Sequence, residues 1–254
     1  MKFRVVVTAN RRLWEDYGRR AIATWLQHWP ADGSAELIVY AEDFETEFAA
    51  DPRVTIRAMP DWHTVWKARH ADNKAAHGRA TPGKLYDFRR DCVRFSHKPA
   101  ALTDAAMRSP RDGIMIMMDA DVVSHQPVTA EWLSMLLPER RYMAWLDRRG
   151  WYPECGFVLF REDHAAHCSM METLRAAYEH DSVFSMAQTH DSWVLMTLAN
   201  RAVAAGKMAP PFDLSKRGGS RDHPFVTSIL GERLDHLKGK RKDGERSPEV
   251  ALRR

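Results

Sequence analysis

Two aspartates, Asp119 and Asp121, follow directly on the run Gly113–Met118 (GIMIMM) and stand one residue apart. Carboxylates so placed repel each other unless a cation lies between them. A hard divalent ion meets that need when one or two carboxylates hold it and substrate phosphates complete its shell. Aspartate is also a common turn residue, so the pair alone leaves open that Asp121 caps a turn and Asp119 is merely exposed. More than a hundred residues later, HLKGKRK sets His236, Gly239 and Lys242 at the spacing H-x-x-G-x-x-K. An imidazole nitrogen can join carboxylate oxygens on one ion. Glycine lets backbone approach a phosphate, and lysine is a compact charge for a diphosphate oxygen.

These residues need strands and helices to bring them together. FRVVVTAN (3–10) reads as an apolar, β-branched first strand, and Tyr17, Ala21, Ile22, Trp25, Leu26 and Trp29 recur at helical spacing up to Pro30. ELIVY (36–40) and VTIRAM (54–59) are the next strands, which makes a βαβ start and a parallel sheet covered on both faces. Residues 71–83 lack periodicity and read as a mobile loop. A helix from about Leu85, carrying Arg90, Arg94 and Lys98, should break near Pro99, and a second short helix leads to RSPRDG. After the GIMIMM strand come a helix near 129–137, strands at 142–146 and 155–160, and helices near 163–180 and 191–205. From Asp243 onward the charged composition reads as disordered.

D-x-D after an apolar strand, with a distant H-x-x-G-x-x-K, resembles the glycosyltransferases of the GT-A fold. The closest pattern is that of family 8, the group of glycogenin and the bacterial lipopolysaccharide galactosyltransferases. The resemblance implies one α/β, Rossmann-like nucleotide-sugar-binding domain over 1–242, with a mostly parallel central sheet and a charged tail at 243–254. It places Mn²⁺ (or Mg²⁺) on Asp119, Asp121 and His236. The diphosphate of a donor, a UDP-sugar by preference, falls to Gly239 and Lys242, with Asp119 and Ala120 beside the nucleotide. ECGFVLF and THDSWVL stand where the family has an Asn-small-Gly strand and an Asp-Gln helix start, so Glu154 and Asp191 are the catalytic candidates. Glu154 and Ser192 replace the family's amides, and Pro-Trp is missing after Lys242. In this fold a basic residue before the D-x-D often reaches the donor, which singles out Arg94 and Lys98. Thr8, Ala9 and Asn10, ending the first strand, would lie by the base. The blander roles are a helix N-cap for Asp191, a strand end for Glu154 and a solvated helix face for Arg94 and Lys98.

The resulting expectation is transfer of a sugar to an acceptor hydroxyl, with retention favoured by the resemblance. The basic stretch 67–98 and the net charge of +4 suit a polyanionic acceptor, best met by hydroxymethylated pyrimidine bases of DNA. A surface polysaccharide or lipid-linked glycan is the alternative acceptor, and a non-catalytic nucleic-acid-binding module the alternative function. The module leaves the aspartate pair without a purpose. A nucleotidyltransferase would show a Gly-rich phosphate loop where this chain has TANRRLWEDYG, and a zinc deaminase would need P-C-x-x-C. Cys92, Cys155 and Cys168 form no paired spacing, no run approaches the ~20 apolar residues of a membrane span, and the opening resembles a strand more than a leader. A soluble, cytoplasmic protein with reduced thiols is expected. Most tryptophans and the methionines Met115, Met117 and Met118 read as core, whereas Trp62, Trp66 and Trp151 sit among polar residues and suit an acceptor surface.

Overall fold

The computed structural model describes residues 1–148, 150–215, 224–237 and 247. From the N-terminus, β1 (Lys2–Ala9) leads to α1 (Arg11–Leu13), which runs through a π turn at Trp14–Gly18 into α2 (Arg19–His28). β2 (Ala35–Ala41), β3 (Val54–Ala58) and α3 (Asp61–Arg69) follow. A long connection reaches the short α4 (Cys92–Phe95), then α5 (His97–Arg108), β4 (Gly113–Met118) and β5 (Val122–Ser124). The second half holds α6 (Ala130–Met135), β6 (Met143–Leu146), β7 (Glu154–Arg161), α7 (His167–Glu179) and α8 (Asp191–Ala204). β8 (Phe212–Asp213), α9 (Pro224–Thr227) and β9 (Leu234–His236) complete the described chain.

Seven strands form one sheet in the order β3-β2-β1-β4-β7-β6-β8. β3, β2, β1 and β4 run parallel, β7 is antiparallel to β4 and β6, and β6 pairs with β8 in parallel. The sheet is thus mostly parallel, with helices on both faces. This is why β1 and β4 are continuous apolar runs rather than alternating ones. Successive side chains enter opposite cores. Val5, Val7, Ile114 and Ile116 join Ile22 and Trp25 of α2, while Val6, Met115 and Met117 join Leu102 of α5 and Met170 of α7. The sequence-read methionines are indeed core.

Three expectations need correction. Residues 85–99 are not one helix. Asp87 Oδ1 accepts from Arg89 N–H and Asp91 Oδ1 from Arg94 N–H, so two capped turns start separately. Pro99 then lies in the first turn of α5, where its missing N–H costs nothing, and it does not break the helix. The stretch 71–83 is irregular but anchored. Ala76 is fully buried, its carbonyl accepts from Val93 N–H, and His77 bridges to Asp91. Trp66 is core, its indole N–H donating to Asp181 Oδ1 at 2.9 Å, and Trp62 is half-buried with the Arg175 guanidinium 5.6 Å from its ring centre. Trp151 alone of the three is well exposed. Of the charged tail, Ser247 is buried and donates through both its N–H and hydroxyl to Asp235. The cysteines are all free thiols. Among the described residues no helix is long and apolar enough to cross a membrane.

Candidate active site

At the end of β4 the chain turns through Asp119–Asp121 and leaves the main sheet. β5 then pairs antiparallel with β9, Val122 opposite His236. Leu237 N–H donates to the Asp121 carbonyl, closing this small ribbon. The pairing is what brings together residues more than a hundred positions apart in the sequence. His236 Nε2 lies 2.9 Å from Asp121 Oδ1 and 3.4 Å from Asp119 Oδ2. Asp119, Asp121 and His236 each offer one ligand atom within 4.8 Å of the others. On the neighbouring strand, β1 pairs Val6 with Met117, so Thr8 and Asp119 lie two residues further along adjacent strands. Ligands in open α/β sheets gather at such carboxyl ends.

The imidazole reaches this position because residue 156 is glycine. A Cβ there would lie 2.5 Å from both Cε1 and Nδ1 of His236, far inside contact distance. β7 starts at the same edge, since it runs antiparallel to β4, and Asp119 N–H donates to the Gly156 carbonyl. Glu154 opens that strand. Its Oε1 accepts from Gly156 N–H and lies 3.6 Å from His236 Nδ1, while Arg148 Nη1 sits 3.8 Å from Oε2. Glu154 therefore stands on the Nδ1 side of the ring, away from the aspartate pair, and is buried.

Lys98 comes from the first turn of α5. Its ammonium contacts Asp119 Oδ1 and lies 2.6 Å from Asp191 Oδ2. Burial alone would lower the lysine pKa, but the charges of Asp119 and Asp191 hold it well above the ordinary value. Asp119 is pushed up by burial and by the nearby Asp121 and Asp191, against the pull of Lys98 and His236. Asp191 is not the cap of α8. That place belongs to His190, whose ring accepts from Trp193 N–H, which leaves the Asp191 carboxylate for Lys98. Burial drops the His190 pKa to about 4.

The donor set fits a hard divalent cation. Two carboxylate oxygens and one imidazole nitrogen converge, and His236 Nδ1 is buried without a hydrogen-bond partner beyond the Glu154 carboxylate at 3.6 Å. An imidazole bound to a metal through Nε2 would present its Nδ1–H to that carboxylate, the usual outer arrangement. Among the described residues, Asp119, Asp121, Asp191 and Glu154 gather four carboxylates around His236, Lys98 and Arg148, a setting whose carboxylate oxygens suit a hard cation.

Other sequence candidates fall as follows. Asn10 Oδ1 accepts from Leu13 N–H as the cap of α1, and Thr8 and Ala9 end β1 at the same edge. Ala120 is buried in the turn. Arg94 is exposed and donates to the Tyr86 hydroxyl, so it does not share a face with Lys98. Gly239 and Lys242 lie outside the described residues. Arg148 escaped the sequence reading. Its signal was a basic residue in the loop between two strands that end and begin at the site's edge.

No protein-family model matches the sequence, and no curated protein is matched by it either. Solved structures do match its fold. Mouse xyloside xylosyltransferase 1 superposes with a TM-score of 0.50 at 12% identity, covering 94% of this chain and 98% of that one. The galactosyltransferase LgtC, solved with donor and acceptor sugar analogues, gives 0.50 at 11% identity over 93% and 87%. The glycosyltransferase GlyE of Streptococcus pneumoniae TIGR4 gives 0.51 at 11% identity over 94% of this chain and 55% of its own. The chain thus has the fold of these glycosyltransferases.

Proposed function

We propose that this protein is a metal-dependent glycosyltransferase of the family 8 type that transfers a sugar from a UDP-sugar to an acceptor hydroxyl. The observation that carries the reading is the meeting of Asp119, Asp121 and His236, through the β5–β9 ribbon, beside Lys98 and Asp191. Mn²⁺ (or Mg²⁺) held by Asp119, Asp121 and His236 would neutralise the diphosphate of the departing nucleotide. Gly239 and Lys242, three and six residues beyond His236, would flank that diphosphate. Thr8, Ala9, Asn10 and Ala120 border the nucleotide. Lys98, bridging Asp119 and Asp191, fixes the carboxylate that faces the transferred sugar. Glu154 orients His236 from behind and takes no proton from the acceptor.

Retention of the anomeric configuration is the stereochemistry this supports. Inversion needs a carboxylate base for the acceptor hydroxyl. Here each candidate is engaged, Asp191 by Lys98 and Glu154 by Arg148 and His236. A glycan is the acceptor we favour. Within the basic stretch 67–98, Lys67, Arg69, Lys84, Arg89 and Lys98 are paired with carboxylates of the same molecule, which reduces its appeal to a phosphate backbone. Hydroxymethylated DNA is the competing acceptor for a direct transfer assay. Action in the cytoplasm is part of this proposal.

The test is a thermal-shift screen of nucleotide diphosphates and nucleotide sugars, with and without Mn²⁺, on wild type and Asp121→Ala. A ligand at 100 times its Kd stabilises the native state by about 2.7 kcal/mol. A Mn²⁺-dependent rise with one nucleotide, lost in the variant, is expected. No rise with any nucleotide would defeat the proposal.

A further inference from the structure

A cleft of about 760 Å³ opens near the site, and five of the described residues that line it carry aromatic rings: Tyr86 and Phe88 on one loop, Trp151 and Tyr152 on another, and Trp193 in the first turn of α8. We infer that this cleft is the acceptor subsite and that it takes an uncharged oligosaccharide, two or three sugar rings long, stacked on those aromatic faces. The inference rests on the transferase reading and specifies its acceptor.

Exposure marks the cleft as a binding surface. Among the described residues, eight large apolar side chains are exposed, and three of them, Tyr86, Phe88 and Trp151, line this cleft. Such clustering is what interaction sites show, whereas scattered apolar residues signify little. Its volume lies within the range of ordinary small-ligand sites.

The rings are also held in place. The Tyr86 hydroxyl donates to Asp91 Oδ2 at 2.9 Å and accepts from Arg94. Tyr152 is clamped between the Arg148 guanidinium, 4.8 Å from its ring centre, and the His190 ring at 4.3 Å. Rigid, amphipathic rings give contact area at little entropic cost on binding. A sugar ring has an apolar C–H face for stacking and a rim of hydroxyls, for which Gln188 and Asp87 at the wall offer partners.

Charge and continuity argue for the occupant. Among the described residues that line the cleft, the two cations, Lys84 and Arg89, both bind Asp87, 3.3 and 3.1 Å away, so neither is left over for a phosphate chain. The cleft's lining residues also adjoin the catalytic cluster along the chain. Tyr152 precedes Glu154 by two residues, Trp193 follows Asp191 by two, and Arg148 touches both Tyr152 and Glu154. Thr189 N–H donates to the Arg89 carbonyl, joining the two walls just before α8.

The experiment is ligand-observed NMR and tryptophan fluorescence with neutral di- and trisaccharides of galactose, glucose and N-acetylglucosamine, alongside single-stranded oligonucleotides. Wild type, Trp151→Ala, Tyr86→Ala and Leu85→Ser are compared, the last an exposed residue of the same loop outside the cleft wall. Saccharide binding by wild type, weakened about tenfold or more in the two ring variants and unchanged in Leu85→Ser, is expected. UDP and Mn²⁺ binding, followed in the same samples, should be unaffected by all three. Saccharide binding unaffected by Trp151→Ala and Tyr86→Ala, no saccharide binding at all, or binding of the oligonucleotides alone would overturn the inference. UDP binding without saccharide binding would overturn only this subsite. The reverse would leave the cleft assigned and defeat the donor reading.

Discussion

Replacing Gly156 by alanine should cost the protein its metal affinity while leaving its fold. The added carbon would sit 2.5 Å from His236 Cε1 and Nδ1, and ordinary contact begins near 3.4 Å, so the imidazole must withdraw by about 1 Å. It cannot do so freely. β9 is paired to β5, and the Phe225 ring packs edge-on against His236 with centroids 5.4 Å apart. Metal ligands tolerate roughly ±0.2 Å, so a shift of this size removes the nitrogen from the donor set. We expect Mn²⁺ affinity to drop at least about tenfold, judged against the usual 10–100-fold effect of disturbing a ligand's support. Overpacking should cost about 1–3 kcal/mol of stability, or roughly 2–4 °C of Tm per kcal/mol in a chain this long. Free Mn²⁺ measured by electron paramagnetic resonance gives the affinity directly, without reference to turnover. Gly113→Ala is the control. Its Cβ would meet the Lys2 carbonyl at 2.2 Å at the far end of β4, so it should lower Tm without a selective loss of Mn²⁺. Wild-type Mn²⁺ affinity in a folded Gly156→Ala protein would refute the placement of His236 among the ligands.

Lys98→Met should lose about 3–5 kcal/mol in urea denaturation at neutral pH, because it leaves Asp119 and Asp191 buried without their shared cation. Added Mn²⁺ should restore part of that loss, and an unchanged urea midpoint would remove Lys98 as the clamp. Glu154→Leu should weaken Mn²⁺ binding about 10–100-fold while Glu154→Gln, which keeps an oxygen, weakens it less. Equal affinities would end the orienting role of Glu154. Acid should destabilise the fold through two histidines away from the site. Burial lowers the pKa of His63 to about 3 and of His167 to about 4, so the folded state holds both neutral. The unfolded chain takes up protons near pH 6.5, so this stability is full above that pH and falls by about 1.4 kcal/mol per unit and per histidine as pH drops toward 4. A urea midpoint that is flat between pH 6.5 and 5 would contradict it.

The local code was plain in several places. Apolar β-branched runs identified β1 and β2, and the GIMIMM run ending in Asp119 and Asp121 identified β4 and the edge where the acidic pair stands, because a strand buried on both faces must be apolar until it emerges. The spacing around His236 pointed to a ligand for the same ion. Lys98 is visible as a basic residue before that strand, although helical spacing merges α4 and α5 into one helix. The failure there is physical: Asp87 and Asp91 compete for backbone N–H groups and restart the helix, and helical periodicity is blind to that competition.

Sequence alone therefore determined the class of fold and singled out the candidate ligand side chains, since burial pattern and residue chemistry are local properties. Only the tertiary structure decided which of them meet. The ribbon of β5 with β9 carries His236 to Asp121, and the antiparallel entry of β7 sets Gly156 and Glu154 against the imidazole. α5 points Lys98 at the aspartates, while Arg94, on α4, turns to the Tyr86 hydroxyl. Trp66 and Trp151 look alike in a polar stretch, yet one is core and the other stands at the mouth of a cleft. Those outcomes depend on contacts between segments far apart in the chain, and no spacing within a segment encodes them.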